Sequence, residues 1–183
     1  MFRYISRGTT EAPGDLTNSE LTDLTKAGWA VGVVQHAAAS GTVVGTTIGT
    51  TWGTQAAERA QGIGVPAGAC IFVDVEGYAS NSDLVGFCQA WALALTEKAP
   101  EYSPGLYYAY PGLTKDQVEE LIGVGTFMAY WAGGDKGTPR GIGETINQSL
   151  TTTMSATCNG IAYTISVDPD LLLSGQTVPF IIA

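Results

Sequence analysis

The run from Ala69 to Glu76 constrains the fold of this chain most strongly. Residues 69–73 are continuously apolar, and the run ends in the acidic sequence Asp74-Val75-Glu76. Unbroken apolarity over a short run is typical of a strand covered on both faces, as in parallel sheets. Helix-like sequence stands before and after the run, over 52–61 and 82–98. The chain is therefore predicted to be an α/β protein with a buried parallel strand.

The rest of the sequence continues this alternation. The predicted strands are 2–5, 29–35, 69–76, 105–109, 126–131, 144–150 and 162–167, and the predicted helices are 17–28, 52–61, 82–98 (the longest) and 114–122. Thr17 and Glu20 have the spacing of a capping box, and the Gly/Thr-rich stretch 40–51 is expected to be a mobile loop. The last two strands are expected to form a hairpin. Successive βα units favour a doubly wound sheet or a barrel.

Size and charge limit the classes of function. The 183 residues fit a single domain spanning 1–183, and the net charge of −9 would repel a phosphate backbone, so nucleic acid is not an expected partner. No apolar run approaches the roughly 20 residues of a membrane span. The first residues enter strand-like sequence directly, and no signal peptide is expected.

Several residue types are expected to be structural. Cys70 and Cys88 lie in apolar surroundings, where cysteine packs as a small hydrophobe. Trp52 and Trp91 are expected in helix packing. The single histidine and the three cysteines lack the spacing of metal ligands, so neither a metal nor a cofactor is expected.

The carboxyl ends of the strands carry the candidate site, because ligands of parallel α/β folds gather there. The polar and aromatic residues at these ends would suit a groove that stacks on sugars and binds their hydroxyls. The catalytic candidates are Asp74 and Glu76, and the substrate-binding candidates are Arg3, His36, Tyr108, Tyr110, Trp131, Gln148, Asp168 and Asp170. For Asp168 and Asp170, capping of a turn at Pro169 is the alternative, and for His36 a strand-end hydrogen bond.

Asp74 and Glu76 have a spacing that allows them to cooperate. Residues two apart on a strand leave the same face, with Cα atoms about 6.6 Å apart. Like charge and burial should raise the pKa of one carboxyl and keep the other ionised. Glu76, nearer the rim, is the predicted general acid, and Asp74 the predicted charged stabiliser. The alternative is that the two carboxylates only solvate the strand end or cap the next helix.

Six segments taken in order carry a resemblance to a known family. They are Phe2-Arg3-Tyr4-Ile5, 16–28, 56–68, Ile71-Phe72-Val73-Asp74-Val75-Glu76, Gly105-Leu106-Tyr107-Tyr108 and Phe127-Met128-Ala129-Tyr130-Trp131-Ala132. Together they resemble the glycoside-hydrolase-like barrel domain of unknown function and, more distantly, the family 25 lysozymes.

The resemblance implies a TIM-like barrel that acts on bacterial cell-wall glycan, or that derives from enzymes acting on it, commonly in phage or actinobacterial proteins. Asp74 and Glu76 match the lysozymes' Asp-x-Glu, Tyr130-Trp131 matches their late aromatic strand, and Asp168-Pro169-Asp170 resembles their closing acidic element. Their first strand, with another active-site Asp, has no counterpart here. The fold is therefore expected to lack a strand, and the exposed edge to be covered within a homo-oligomer or a larger assembly.

Two hypotheses for the function follow. The first is a lysozyme-type hydrolase of peptidoglycan, in which Glu76 is the acid and Asp74 assists the substrate's own acetamido group. The second is a non-catalytic structural or carbohydrate-binding surface protein of a phage particle or extracellular assembly. Both place the protein outside a cell or on a virion.

Overall fold

The computed structural model describes residues 1–8, 10–36, 39–149, 152–158, 161–167 and 170–173. Its strands are β1 (Phe2–Ile5), β2 (Gly32–Gln35), β3 (Cys70–Val75), β4 (Ser103–Tyr108), β5 (Ala129–Ala132), β6 (Ile146–Gln148), β7 (Thr152–Cys158), β8 (Ile161–Val167) and β9 (Asp170–Leu172). Its helices are α1 (Asn18–Lys26), α2 (Thr46–Gly62), α3 (Leu84–Lys98) and α4 (Lys115–Gly123).

The first six strands form a parallel sheet in chain order. β9 extends this sheet antiparallel to β6, and β7 and β8 form a separate antiparallel pair. The predicted succession of βα units is confirmed, but the described part of the chain has nine strands where seven were predicted. The predicted hairpin between the sixth strand and β8 is wrong, because β6 pairs with β5 and β9 while β8 pairs with β7.

The sheet is strongly curled. Phe2 on β1 stacks on Trp131 on β5 with ring centroids 4.0 Å apart. These strands are four positions apart, which in a flat sheet would separate them by about 19 Å. The contact therefore requires the sheet to curve into a half-barrel.

Side chains alternate between a concave and a convex face. A small aromatic cluster covers the concave face and includes Phe72, Tyr107 and Trp131. The convex face belongs to a larger core under the helices. Cys70 lies in the first cluster and Cys88 in the second, both as free buried thiols, which confirms their structural role.

Helix α2 packs unusually closely on α3. A Cβ atom at Gly49 would lie 2.3 Å from the Phe87 carbonyl oxygen, and one at Gly53 would lie 2.2 Å from that of Trp91. The expected loop over 40–51 is therefore wrong from Thr46 onward, because glycine, poor in an isolated helix, allows this close approach. With 17 residues, α2 is also longer than α3.

Polar side chains fix the ends of the elements and one core position. Thr17 accepts from the Glu20 amide, but the Glu20 carboxylate binds Arg3, so only half of the expected capping box forms. In the convex core, Gln35 accepts from Trp91 Nε1 at 2.7 Å and donates to the Trp52 carbonyl at 3.0 Å. Both tryptophans are thus packing residues, as predicted.

Among the helices of the described residues, none has the length and apolarity needed to cross a bilayer.

Candidate functional site

Asp74 and Glu76 extend the concave row of β3 beyond Cys70 and Phe72. Asp74 is buried, with 2% of its surface exposed. The Tyr4 hydroxyl donates to Asp74 Oδ2 at 3.5 Å. Glu76 is half-buried, and its backbone forms an isolated bridge with Gly112. The two carboxyls therefore occupy different depths at one strand end.

Burial raises the pKa of Glu76 above its usual range, and the negative charge of Asp135 raises it further. The predicted direction of the shift is confirmed. The predicted like charge was that of Asp74, whereas the charge that acts on Glu76 belongs to Asp135, in the loop after β5. Sequence reasoning missed Asp135, because it belongs to no strand or helix pattern.

Tyr107 joins these carboxyls. It pairs with Asp74 in the register between β3 and β4, and side chains directly opposite each other in a sheet leave the same face. Burial raises the pKa of Tyr107 far above its usual range, with further increases from Glu76 and Asp74. Its hydroxyl donates to Gln148 Oε1 at 3.2 Å. The alternation of β4 was the signal that could have identified Tyr107.

Tyr108 is not part of this cluster, and its prediction as a sugar-binding residue is wrong. Its register partner is Val75, and both lie in the convex core, where Tyr108 is fully buried. Trp131 does lie on the concave face, but it is only 4% exposed because Phe2 stacks on it and the Tyr107 ring packs 4.4 Å away. It cannot offer an open face to a sugar. Tyr110, in contrast, is 59% exposed.

His36 lies beside the carboxyl pair and has two neighbours. Its ring stacks on Tyr4 at 4.2 Å, and its Nε2 lies 3.2 Å from the Oδ1 of buried Asp15. Tyr4 in turn contacts Asp74. His36 is thus held at the edge of the site by a carboxylate that the sequence did not single out.

Of the remaining predicted site residues, some lie at the site and others do not. Gln148 belongs to the site through Tyr107 and also accepts from the Gly134 amide at 3.0 Å. Arg3 does not reach it, because its Nε binds the Glu20 carboxylate at 2.7 Å. Asp170 is exposed on β9, opposite Gln148. Asp168 lies outside the described residues.

An open depression of about 560 Å³ adjoins Gln148. It is lined by Gly134, Asp135, Lys136, Gly137, Thr138, Arg140, Gln148 and Ser149. Arg140 Nη2 donates to the carbonyl groups of Gly133 and Gln148, which ties the ends of β5 and β6 together. Two lining residues connect the depression to the carboxyl pair. Gln148 does so through its hydrogen bond with Tyr107, and Asp135 through its charge, which acts on Glu76.

The part of the chain that the structure describes holds no group of three or more His, Cys, Asp or Glu side chains arranged to bind a metal ion. The side chains gathered at this site carry carboxyl, hydroxyl, imidazole and amide groups.

Comparison with known proteins supports both the fold and the family. The crystal structure of an uncharacterized B. stearothermophilus protein matches with a TM-score of 0.60 and 18% identity, over 80% of this chain and 76% of that one. At this identity the match shows the fold alone. No curated protein matches the chain. A family model described as the Rv2525c-like, glycoside hydrolase-like domain matches residues 1–155. The family match suggests a function related to glycans, and the chain therefore belongs to the Rv2525c-like, glycoside hydrolase-like family, as the sequence resemblance predicted.

Proposed function

We propose that this protein is a glycoside hydrolase of lysozyme type that cleaves the bond between N-acetylmuramic acid and N-acetylglucosamine in peptidoglycan. The observation that carries the proposal is the pairing of buried Asp74 with half-buried Glu76 at the carboxyl end of β3. Many glycosidases cleave the glycosidic bond with such a pair, in which one carboxyl is protonated and acts as the general acid.

Glu76 is the group suited to be the general acid. Its pKa is raised by burial and by Asp135, so a larger fraction stays protonated as the pH rises. It also keeps enough exposed surface to reach the oxygen of a leaving sugar. General acid catalysis of this kind contributes about 10²–10⁴ in rate.

Asp74 is suited to a supporting role. At 2% exposure it lies below the surface, so it is better placed to orient a group above it than to attack a sugar carbon. The substrate's acetamido group would serve as the nucleophile, as in known substrate-assisted glycosidases. Asp74 would stabilise the positive charge that develops on that group in the transition state.

The proposed activity also bears on the complete fold, the location and the assembly of the protein. We propose that the curled sheet belongs to a TIM-like barrel, which is consistent with six parallel strands in chain order and a site at their carboxyl ends. A cell-wall substrate would place the protein outside a cell or on a virion. A homo-oligomer or larger assembly would cover the edge of β1.

The rival function is a non-catalytic module that holds glycan as part of a surface structure. One observation favours it: aromatic side chains fill the concave face, with Trp131 almost fully buried, so these side chains form a filled surface rather than a deep groove. Such a surface can hold a chain without enclosing it.

Turbidity of a cell-wall suspension separates the two functions. Purified protein should clear the suspension, and Glu76→Gln should slow clearing by about 10²–10⁴. The matched control is Glu119→Gln on α4, which removes an exposed carboxylate that contacts Lys115. Equal clearing by wild type and Glu76→Gln would exclude Glu76 as the acid. Retention on insoluble wall without clearing by wild type would favour the non-catalytic module.

A substrate with a good leaving group tests the division of roles. Because such a group departs without protonation, it should restore the first step in Glu76→Gln far more than in Asp74→Asn. Equal rescue of both variants would contradict the assignment.

A further inference from the structure

We propose that Asp15 and His36 are positioning residues that hold the Tyr4 ring, and that the Tyr4 hydroxyl in turn orients Asp74 and favours its ionised form. The inference rests on the proposed function, because it supplies the support for the carboxylate that stabilises positive charge there. It gives His36 a role through Tyr4 rather than through contact with a sugar.

The support begins at Asp15, whose side chain is fully buried. Its Oδ2 accepts from the Ala12 amide at 2.8 Å, and its Oδ1 lies 3.2 Å from Nε2 of His36. A buried carboxylate is costly unless it is paired. The hydrogen on Nε2 is therefore directed at Asp15, and this contact fixes the orientation of the imidazole ring.

The imidazole ring then fixes the ring of Tyr4. The two ring centroids are 4.2 Å apart and the ring planes differ by 9°, so the rings lie almost parallel. The backbone brings them together, because the His36 amide donates to the Ile5 carbonyl at 3.1 Å, directly after the paired residues of β1 and β2. One face of Tyr4 is thus covered by a ring that Asp15 holds.

The Tyr4 hydroxyl carries the support to the carboxyl pair. It donates to Asp74 Oδ2 at 3.5 Å. Tyr107, the register partner of Asp74, donates instead to Gln148 Oε1 at 3.2 Å. A tyrosine hydroxyl has one proton to donate, so the proton of Tyr107 is engaged away from Asp74 and that of Tyr4 is directed at it. A hydrogen bond to the ionised form of a carboxyl favours that form.

The charged and titratable groups around Asp74 come from every element beside it. They are Tyr4 on β1, Asp15 in the loop after β1, His36 after β2, Glu76 after β3, Tyr107 on β4 and Asp135 in the loop after β5. The three carboxyls among them oppose the ionisation of Asp74 when they are charged. The hydrogen bond from Tyr4 acts against this repulsion.

The titration of Asp74 tests the inference without any need for turnover. In protein with isotope-labelled aspartate, the carboxyl carbon signal of Asp74 is the one that Asp74→Asn removes. Tyr4→Phe keeps the ring but removes the hydroxyl, and it should raise the pKa of Asp74 by about 0.5–1 pH unit. The change is modest because the contact is 3.5 Å long. The acid limb of kcat/KM for cell-wall clearing should move to higher pH by the same amount.

Two substitutions at His36 test the middle of the support. Glutamine is long enough to place an amide nitrogen where Nε2 lies, whereas asparagine is not. His36→Asn should therefore raise the pKa of Asp74 more than His36→Gln does. In the Tyr4→Phe background, His36→Asn should add no further shift, because it acts through the hydroxyl that is already missing.

Tyr102→Phe is the matched control. It also removes one hydroxyl hydrogen bond, to the Val65 carbonyl at 2.8 Å, but at the amino ends of the strands. It should lower stability and leave both the titration of Asp74 and the acid limb unchanged. A loss of correctly folded protein alone would scale the pH profile without moving it.

The outcomes separate this inference from the proposed function. An unchanged titration of Asp74 in Tyr4→Phe, with clearing by wild type, would overturn the inference and leave the proposed function standing. A full additional shift from His36→Asn in the Tyr4→Phe background would overturn the assignment of His36. Shifted titrations in a protein that does not clear the wall would support the contacts and overturn the proposed function.

Discussion

At the scale of single residues, depth distinguishes the two carboxyls of β3. Asp74 is buried under Tyr4 and Tyr107, whereas Glu76 is half-exposed beside Asp135. Desolvation raises the pKa of a carboxyl, and a nearby negative charge adds to the effect. For Glu76 both effects act in the same direction, which suits it to the role of general acid.

Asp135 should set the pH range of the proposed activity. Asp135→Asn removes a charge that raises the pKa of Glu76, so the pKa should fall. Glu76 must be protonated to act, and the alkaline limb of kcat/KM should therefore move to lower pH. The pH profile of cell-wall clearing measures this shift.

The control for that profile is Asp116→Asn, which removes an exposed carboxylate from the first turn of α4. It should leave the alkaline limb in place. An unchanged limb in Asp135→Asn would show that another group sets it.

Glu76 should also lower stability at neutral pH. A carboxyl whose pKa is raised in the folded state gives up its proton more readily when unfolded, so the stability cost grows as pH rises from about 4.5 through the raised pKa. Glu76→Gln removes this cost. Urea titrations give the free energy of unfolding of Glu76→Gln and of wild type. The difference, variant minus wild type, should be larger at pH 7 than at pH 4. A difference that does not change between these pH values would contradict the raised pKa.

The sequence revealed part of this site. The position of Asp74 and Glu76 followed from an apolar run with an acidic end, which is a strong local pattern. The choice of Tyr108 over Tyr107 failed because strand alternation, which fixes the face, was not extended from β3 to β4. Asp15 and Asp135 lie in loops, whose course depends on the folded sheet and leaves no periodic signal.

At the scale of elements, the α2–α3 contact has no room for a side chain at two positions on one face of α2. Gly49 and Gly53, one helical turn apart, bring its backbone against carbonyl groups of α3. Close backbone approach of this kind allows Cα–H···O contacts and a large dispersion attraction. Packing therefore offsets the low helix propensity of these glycines.

Two alanine substitutions in the same helix should have different effects on stability. Gly53→Ala would place a methyl group against the Trp91 carbonyl and should destabilise by about 1–3 kcal/mol, the usual cost of overpacking. Gly62→Ala, where nothing lies within 4 Å, should be neutral or stabilise by up to about 1 kcal/mol. Chemical denaturation of both variants measures the difference. Equal stability of the two would mean that the helices separate at little cost.

The elements themselves were predicted well where the pattern was local. The predicted strands overlap all of the first six strands of the structure. The helices with apolar periodicity or a cap were also found, as in α4 with the Thr114 capping box. The first turns of α2 did not, because residues 46–51 are rich in Thr and Gly and become helical through α3. β7 was missed because its sequence is mostly polar, and a polar strand is specified by its partner rather than by its own pattern.

At the scale of the whole molecule, the parallel sheet ends at β1. Within the described residues this strand pairs with β2 alone, so one side of its backbone lacks a strand partner. We expect another chain to cover this edge, and the mass in solution should exceed that of one chain at micromolar concentration. Sedimentation across a concentration series measures it. A single monomeric species at all concentrations would contradict the expectation.

The curl of the sheet divides the interior into two compartments, and each contains one buried cysteine that can be alkylated when the compartment opens. Cys70 lies under the concave aromatic cluster and Cys88 in the core beneath the helices, and burial raises the pKa of both thiols far above their usual range. Neither should react with an alkylating reagent until its own compartment opens. Pulsed alkylation with mass spectrometry can therefore time the two openings separately. A glycan bound on the concave side should delay the labelling of Cys70 more than that of Cys88.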